Sequence, residues 1–223
     1  MRECAKMFHI HRTTVARKKR FLALQSRLWL ANFLKTKVAS HIQFDDMETF
    51  EHSKCKPLSV TLAVEKGTRL ILGTEVSIMS AKGTLVRRSI KKYGKRPDKR
   101  REGRRRLFAR IQNSVLPTAE INSDQNPHYA PEVRKYFPHA KYRTFKGRRG
   151  CVVGQGELKA GGFDPLFSLN HTAAMFRANL NRLFRRTWCT TKKVEGLEDH
   201  LAIYIRSHNQ RILARLAAKQ ETI

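Results

Sequence analysis

The apolar positions along this chain follow three successive rhythms. In the first forty residues they recur every three to four positions, the period of an amphipathic helix. A short helical segment at 5–8 precedes a break at 9–12, after which Thr13-Thr14-Val15-Ala16-Arg17 opens a second helix that continues through 21–37. A threonine hydroxyl satisfies an orphan amide at a helix start, so Thr13 or Thr14 is the expected N-cap. The rhythm then shortens to two, which predicts strands at 42–48, 58–64 and 69–78, with Glu65-Lys66-Gly67-Thr68 as a hairpin turn between the last two. Short links between three consecutive strands predict an antiparallel meander. A polar block at 87–106 grades into a helix through Leu107, Phe108 and Ile111. Beyond it lie a fourth strand at 119–124, a short helix at 131–137, a fifth strand at 141–145 and a glycine-rich loop at 147–162. The last third returns to the helical period, first in Leu169, Ala173, Phe176, Leu180, Leu183 and Phe184, then in Leu197, Leu201, Tyr204, His208 and Ile212. The expected architecture is α/β, with the order βββ-α-β-α-β-α-α after a helix-turn-helix. This divides the chain into an N-terminal segment at 1–37 and a main domain at 38–223.

Charge changes the picture from fold to partner. Forty-six Lys and Arg against 18 Asp and Glu leave a net charge of +28, which points to a polyanion. With 40% hydrophobic residues the chain buries a core, which excludes a disordered basic tail. Cys4, Cys55, Cys151 and Cys189 are scattered, without a Cys-x-x-Cys pair. Neither a zinc clamp nor a secreted disulfide scaffold is expected, and a reducing cytoplasm suits them best. The apolar stretch at 21–34 contains Arg27 and is too short to span a bilayer, so no membrane partner is expected. In a helix-turn-helix the second helix enters the major groove, with flanking basic residues on phosphates. Arg12, Thr14, Arg17, Lys18 and Arg20 suit that work. The first helix begins almost at Met1, which reads as the shortened form of something longer. In the block at 87–106, twelve of twenty residues are Lys or Arg, and it is expected to bind DNA backbone without sequence preference unless it is a solvated loop. Lys141, Arg143, Lys146, Arg148 and Arg149 form a second cluster.

The element order is that of a ribonuclease-H-like domain, in which the first strand is central and the end of the fourth lies beside it. Asp45 and Asp124, 79 residues apart, would then meet. Two close carboxylates repel, and divalent cations relieve the repulsion; oxygen ligands suit Mg²⁺ or Mn²⁺, here expected as two ions. Paired metals activate a water or a 3′-hydroxyl for in-line attack on a phosphodiester. Asp45 sits mid-strand between hydrophobic residues, where an unpaired charge is costly. Asp46 points to the opposite face and is the fallback first acid. Asp124, in Ile121-Asn122-Ser123-Asp124-Gln125-Asn126-Pro127, also reads as a turn former after a strand. The run Gly150 to Gly156 lacks the Gly-Lys-Ser/Thr ending of a phosphate loop, so nucleotide binding is unsupported. None of the nine histidines forms a persuasive zinc pair; His171 is expected to face away from the metals, and His200 and His208 to be structural.

The segment from Leu169 to Cys189, Leu-Asn-His-Thr-Ala-Ala-Met-Phe-Arg-Ala-Asn-Leu-Asn-Arg-Leu-Phe-Arg-Arg-Thr-Trp-Cys, resembles the third-acid helix of the insertion-sequence-1 and 1595-type transposases. Asp45-Asp46-Met47-Glu48-Thr49-Phe50 is similar to the surroundings of that group's first aspartate, and Ser123-Asp124 to its second. The resemblance runs from about Ile42 to the C-terminal helix and covers the basic block poorly. It implies a transposase of the Asp-Asp-Glu or Asp-Asp-Asn type, with Asp45, Asp124 and Asn170 as catalytic metal ligands. Asn170 stands where the acid form has a carboxylate, and an amide carbonyl still ligates a hard cation without adding charge. Glu157, 33 residues beyond Asp124, is the rival third group, although a glycine-rich loop holds it. Arg177, seven positions after Asn170 and on the same helical face, matches the family's phosphate-contacting base. The resemblance further implies double-stranded DNA, both transposon end and target, as partner, and a homodimer or higher assembly on it. A bacterial-type, nucleoid-associated cytoplasmic location follows from the same reading. Two other readings share the charge: a decayed transposase that only binds DNA, and an RNA-binding protein.

Overall fold

The computed structural model describes residues 2–146, 163–183 and 191–220. Helix α1 (Arg2–Met7) buries none of its residues, and α2 (Arg12–Thr36) is one continuous helix of 25 residues. Neither threonine caps it. His11 holds the extended backbone of an N-cap, and its Nδ1 accepts from the Thr13 amide at 3.4 Å and pairs with the Thr13 hydroxyl at 2.8 Å. An imidazole nitrogen thus does the work expected of a hydroxyl, because the chain already turns helical at Arg12. The buried face of α2 includes Ala23, Ser26, Leu30 and Leu34, and the last two belong to the main hydrophobic core.

Strands β1 (Ala39–Phe50), β2 (Pro57–Glu65) and β3 (Ile71–Ile78) form the expected antiparallel meander. β3 begins two residues later than its apolar pattern suggests, because Gly67 and Arg69 take positive φ values of 85° and 64° in the preceding turn. The basic block is two helices, α3 (Leu85–Tyr93) and α4 (Arg100–Ile111), so one more helix interrupts the order than expected. Gly94, at φ 73°, ends α3 with its amide on the Ile90 carbonyl. β4 (Val115–Asp124) returns parallel to β1, α5 (Ala130–Tyr136) crosses over, and β5 (Lys141–Phe145) pairs parallel with β4. Helices α6 (Phe167–Asn179) and α7 (Val194–Gln220) follow.

The result is an α/β fold with a mixed five-stranded sheet in the order β3-β2-β1-β4-β5 and seven α-helices among the described residues. On one face Phe44 packs edge-on against Phe108 of α4 at 5.0 Å and against Tyr129 at 4.9 Å. On the other, Gln43 meets the start of α6. α7 braces the edge strand: the Asn209 amide accepts from the Ile71 N–H and donates to the Ile71 carbonyl, at 2.9 and 2.8 Å. No helix among the described residues is long and apolar enough to cross a membrane. The glycine-rich stretch at 147–162 lies outside the described residues.

Candidate functional site

β1 is the central strand, and its parallel register with β4 pairs Gln43 with Asn122. Two residues further along both strands come Asp45 and Asp124, and alternation puts both on the face of Gln43 and Asn122. Burial and, after it, the Asp124 carboxylate push the Asp45 carboxyl up to about 6. The register thus sets the two acids expected to meet at neighbouring positions on one face of the sheet. Each commits one oxygen to the protein. Asp45 Oδ1 accepts from the Asp46 amide at 2.7 Å and from the Tyr129 hydroxyl at 2.9 Å. Asp124 Oδ1 accepts from the Asn126 amide at 3.0 Å, so Asp124 is also the turn former that its surroundings suggest. Tyr129 is fully buried, and burial together with Asp46, Asp45 and Asp124 pushes its hydroxyl far up, which keeps it a hydrogen-bond donor.

Asp46, the fallback acid, is spent elsewhere. It lies on the opposite face in a buried ion pair with Arg104 at 2.7 Å and accepts from the Thr61 hydroxyl at 2.5 Å. The guanidinium of Arg104 also stacks over the Tyr129 ring, 5.0 Å from its centre. Tyr129 thus links the supports of both acids.

The Gln43 side chain fixes the third element, donating to the Pro165 carbonyl at 2.7 Å and accepting from the Leu169 amide at 3.0 Å. Ser168 accepts from the Gly67 amide and His171 contacts the Arg69 guanidinium, which ties one flank of α6 to the β2–β3 turn. At about 100° per residue, Asn170 and Arg177 share the flank turned away from that turn. Asn170 is exposed, and its amide nitrogen donates to Asp164 Oδ2 at 2.9 Å. Among the described residues no hydrogen bond joins Asn170 to either aspartate, and no three His, Cys, Asp or Glu side chains form a metal-binding group. Arg177 is half-buried, and Glu157 lies outside the described residues.

Sequence reasoning missed Tyr129, Gln43 and Asp164. Asp164 alone carried a local signal, an Asp-Pro pair just ahead of a helix, and its Oδ1 accepts from the Leu166 amide at 2.9 Å. Of the residues expected on DNA, Arg12, Arg17, Lys18, Arg20 and Lys146 are exposed and Thr14 is half-buried. Arg148 and Arg149 lie outside the described residues. The helical histidines serve packing: burial, with Arg182 and Lys19, pushes His200 down to about 4, and His208 bonds the Arg69 carbonyl at 3.0 Å. The chain matches no model of a known protein family and no curated protein.

Proposed function

We propose that the protein is a DNA transposase of the Asp-Asp-Asn type, built on a ribonuclease-H-like core, that cleaves and joins phosphodiesters at transposon ends. The observation that carries this reading is the parallel register that sets Asp45 and Asp124 side by side on one face of adjacent strands; burial, and after it the Asp124 charge, raise the Asp45 carboxyl to about 6. The strand order β3-β2-β1-β4-β5 supports the core assignment. With one oxygen of each acid held by the protein, Oδ2 of each has no hydrogen-bond partner among the described residues. Two carboxylates with the Asn170 carbonyl as third donor fit hard cations such as Mg²⁺ or Mn²⁺, and two ions are expected. When bound, such ions supply an activated water or 3′-hydroxyl and stabilise the leaving oxygen.

The protein's own part is placement. Tyr129 and the Asp46 amide fix the Asp45 rotamer, the Asn126 amide fixes Asp124, and Gln43 docks the helix bearing Asn170 and Arg177. Arg177 contacts a phosphate at the scissile end. The N-terminal residues Arg12, Thr14, Arg17, Lys18 and Arg20 read end DNA, with Lys146, Arg148 and Arg149 on flanking or target duplex. The partner is double-stranded DNA, engaged by a homodimer or larger assembly in the cytoplasm.

One observation favours a second reading. The third donor is an uncharged amide tied to Asp164, which suits a protein that binds DNA without cutting it. Cleavage of a labelled duplex carrying candidate ends, with Mg²⁺ or Mn²⁺, separates the two. Cleavage lost in both Asp45→Ala and Asp124→Ala establishes the enzyme. Specific end binding with no cleavage under either metal establishes the second reading.

A further inference from the structure

The basic block divides into two halves of opposite use. On α4 the arginines are consumed by acids of neighbouring elements. Arg101 and Arg105 clamp the buried Glu132 at 2.7 and 2.8 Å, and Arg104 holds Asp46. Arg106 joins Arg110 on Glu75, each at 2.6 Å, and Arg100 pairs with Asp98, also at 2.6 Å. Six arginines share four carboxylates, so most of this charge is offset within the protein and each guanidinium is held in an ion pair. Because Gly103 has no side chain, α4 lies directly on β3; a Cβ there would collide with the Ser77 hydroxyl.

α3 is the reverse. Arg87, Arg88, Lys91 and Lys92, with Lys95 just beyond, are exposed, and among the described residues none of them is in an ion pair. At about 100° per residue the four helical cations fall within an arc of about 140°. The other side is anchored, through the Ser89 hydroxyl on the Cys55 carbonyl at 2.7 Å and Lys56 over the Tyr93 ring at 5.5 Å. Strand direction sets where this face lies. β3 runs parallel to β1, since both are antiparallel to β2, so α3 follows the same end of the sheet toward which β1 and β4 carry Asp45 and Asp124. A further tie at that end is the ion pair of Lys82 with Glu48 of β1.

We infer that α3 is an arm that grips the backbone of duplex DNA at the catalytic end of the sheet, while α4 contributes no phosphate contact. The choice of DNA as the polyanion rests on the transposase reading; the division between the helices rests on the ion pairs alone. Four cations outside any ion pair among the described residues, of which Lys92 also rests over the Tyr93 ring at 5.4 Å, displace counterions from phosphates without reading sequence, each neutralised phosphate adding about 0.9 to the salt slope.

The test compares three proteins: the parent, a variant with Arg87, Arg88, Lys91 and Lys92 all replaced by Gln, and Arg101→Gln/Arg105→Gln. Binding to a labelled random-sequence duplex is followed by anisotropy across KCl concentrations, and each protein is melted. The α3 variant is expected to flatten the slope of log K against log salt by about two to three with an unchanged melting temperature. The α4 variant should keep the parental slope and melt several degrees lower; should it fail to fold, Arg101→Gln alone serves for the same comparison. An α3 variant with the parental slope, or an α4 variant that flattens it equally, overturns the inference. So does a parent that prefers single-stranded RNA or anionic vesicles to duplex DNA. Slopes that behave as expected in a protein that never cleaves leave the arm standing and sink the enzymatic reading.

Discussion

Asp45 titrates where its neighbours put it. Burial and the Asp124 charge hold its carboxyl near 6, against an ordinary value of 3.8, so the folded protein takes up this proton more readily than the unfolded chain. The stabilisation from that proton is complete below about pH 4 and disappears as pH rises through 6, leaving an ionised Asp45 that weighs against the fold at neutral pH. Asp45→Asn, which keeps an acceptor for Tyr129, should raise the metal-free melting temperature by roughly 3–8 °C near pH 7.5 and by nothing near pH 4. Mg²⁺ should stabilise the parent and not this variant; melting curves across pH, with and without the ion, decide it. The Asn170–Asp164 bond makes a second expectation. Asn170→Asp alone would set two carboxylates against each other and should not tighten Mn²⁺ binding. Adding Asp164→Asn restores the hydrogen bond in reverse, and the double variant should bind Mn²⁺ about tenfold more tightly by spin resonance. Equal affinities across parent, single and double variants would remove Asn170 from the metal site. At this scale Asp45 was legible because a charge in an apolar strand demands a reason. Tyr129 was not, since nothing in Asn126-Pro127-His128-Tyr129 signals a hydroxyl directed at a residue 84 positions away.

Among the elements, α4 and β1 depend on each other through one buried ion pair. Arg104 and Asp46 have side chains only 4% and 5% exposed. Arg104→Gln strands the Asp46 carboxylate and should cost about 3–5 kcal/mol in chemical denaturation, whereas replacing both with apolar residues of like volume should cost far less. A loss below 1 kcal/mol would show that water reaches Asp46. Because Arg104 also covers Tyr129, the single variant should weaken metal-dependent cleavage as well. The five strands lie within four residues of their expected bounds and α5 within one, whereas α7 runs eight residues past its expected end at Ile212. α3 was not legible: Val86, Ile90 and Tyr93 do recur at helical spacing, but the density of Lys and Arg from 87 onward made the segment read as one charged block. The N-cap of α2 escaped for a related reason, since imidazole seldom plays that part and two threonines stood beside it.

Across the whole molecule, the segment at 1–37 is joined to the core. Leu30 and Leu34 lie in the main hydrophobic cluster, and Lys19 and Arg27 pair with Asp199 of α7 at 3.3 and 2.9 Å. Removing residues 1–10 should leave the cooperative unfolding transition in place and, because Arg12 to Arg20 remain on α2, weaken end recognition without abolishing it. Leu34→Ala should cost about 2–5 kcal/mol by urea denaturation, and removal of 1–37 should leave no folded protein. A stable, cleaving fragment without α2 would show the two parts to be independent. Periodicity prescribes the sheet, its flanking helices and the acid embedded in the first strand, because the alternation of faces is a local property that any buried strand must write into its side chains. Which of the many arginines face solvent, which hydroxyl steadies Asp45 and which amide docks α6 are settled only on folding. Those contacts join residues 58, 84 and 126 positions apart, and a single pairing over such a distance imposes no period on the chain between.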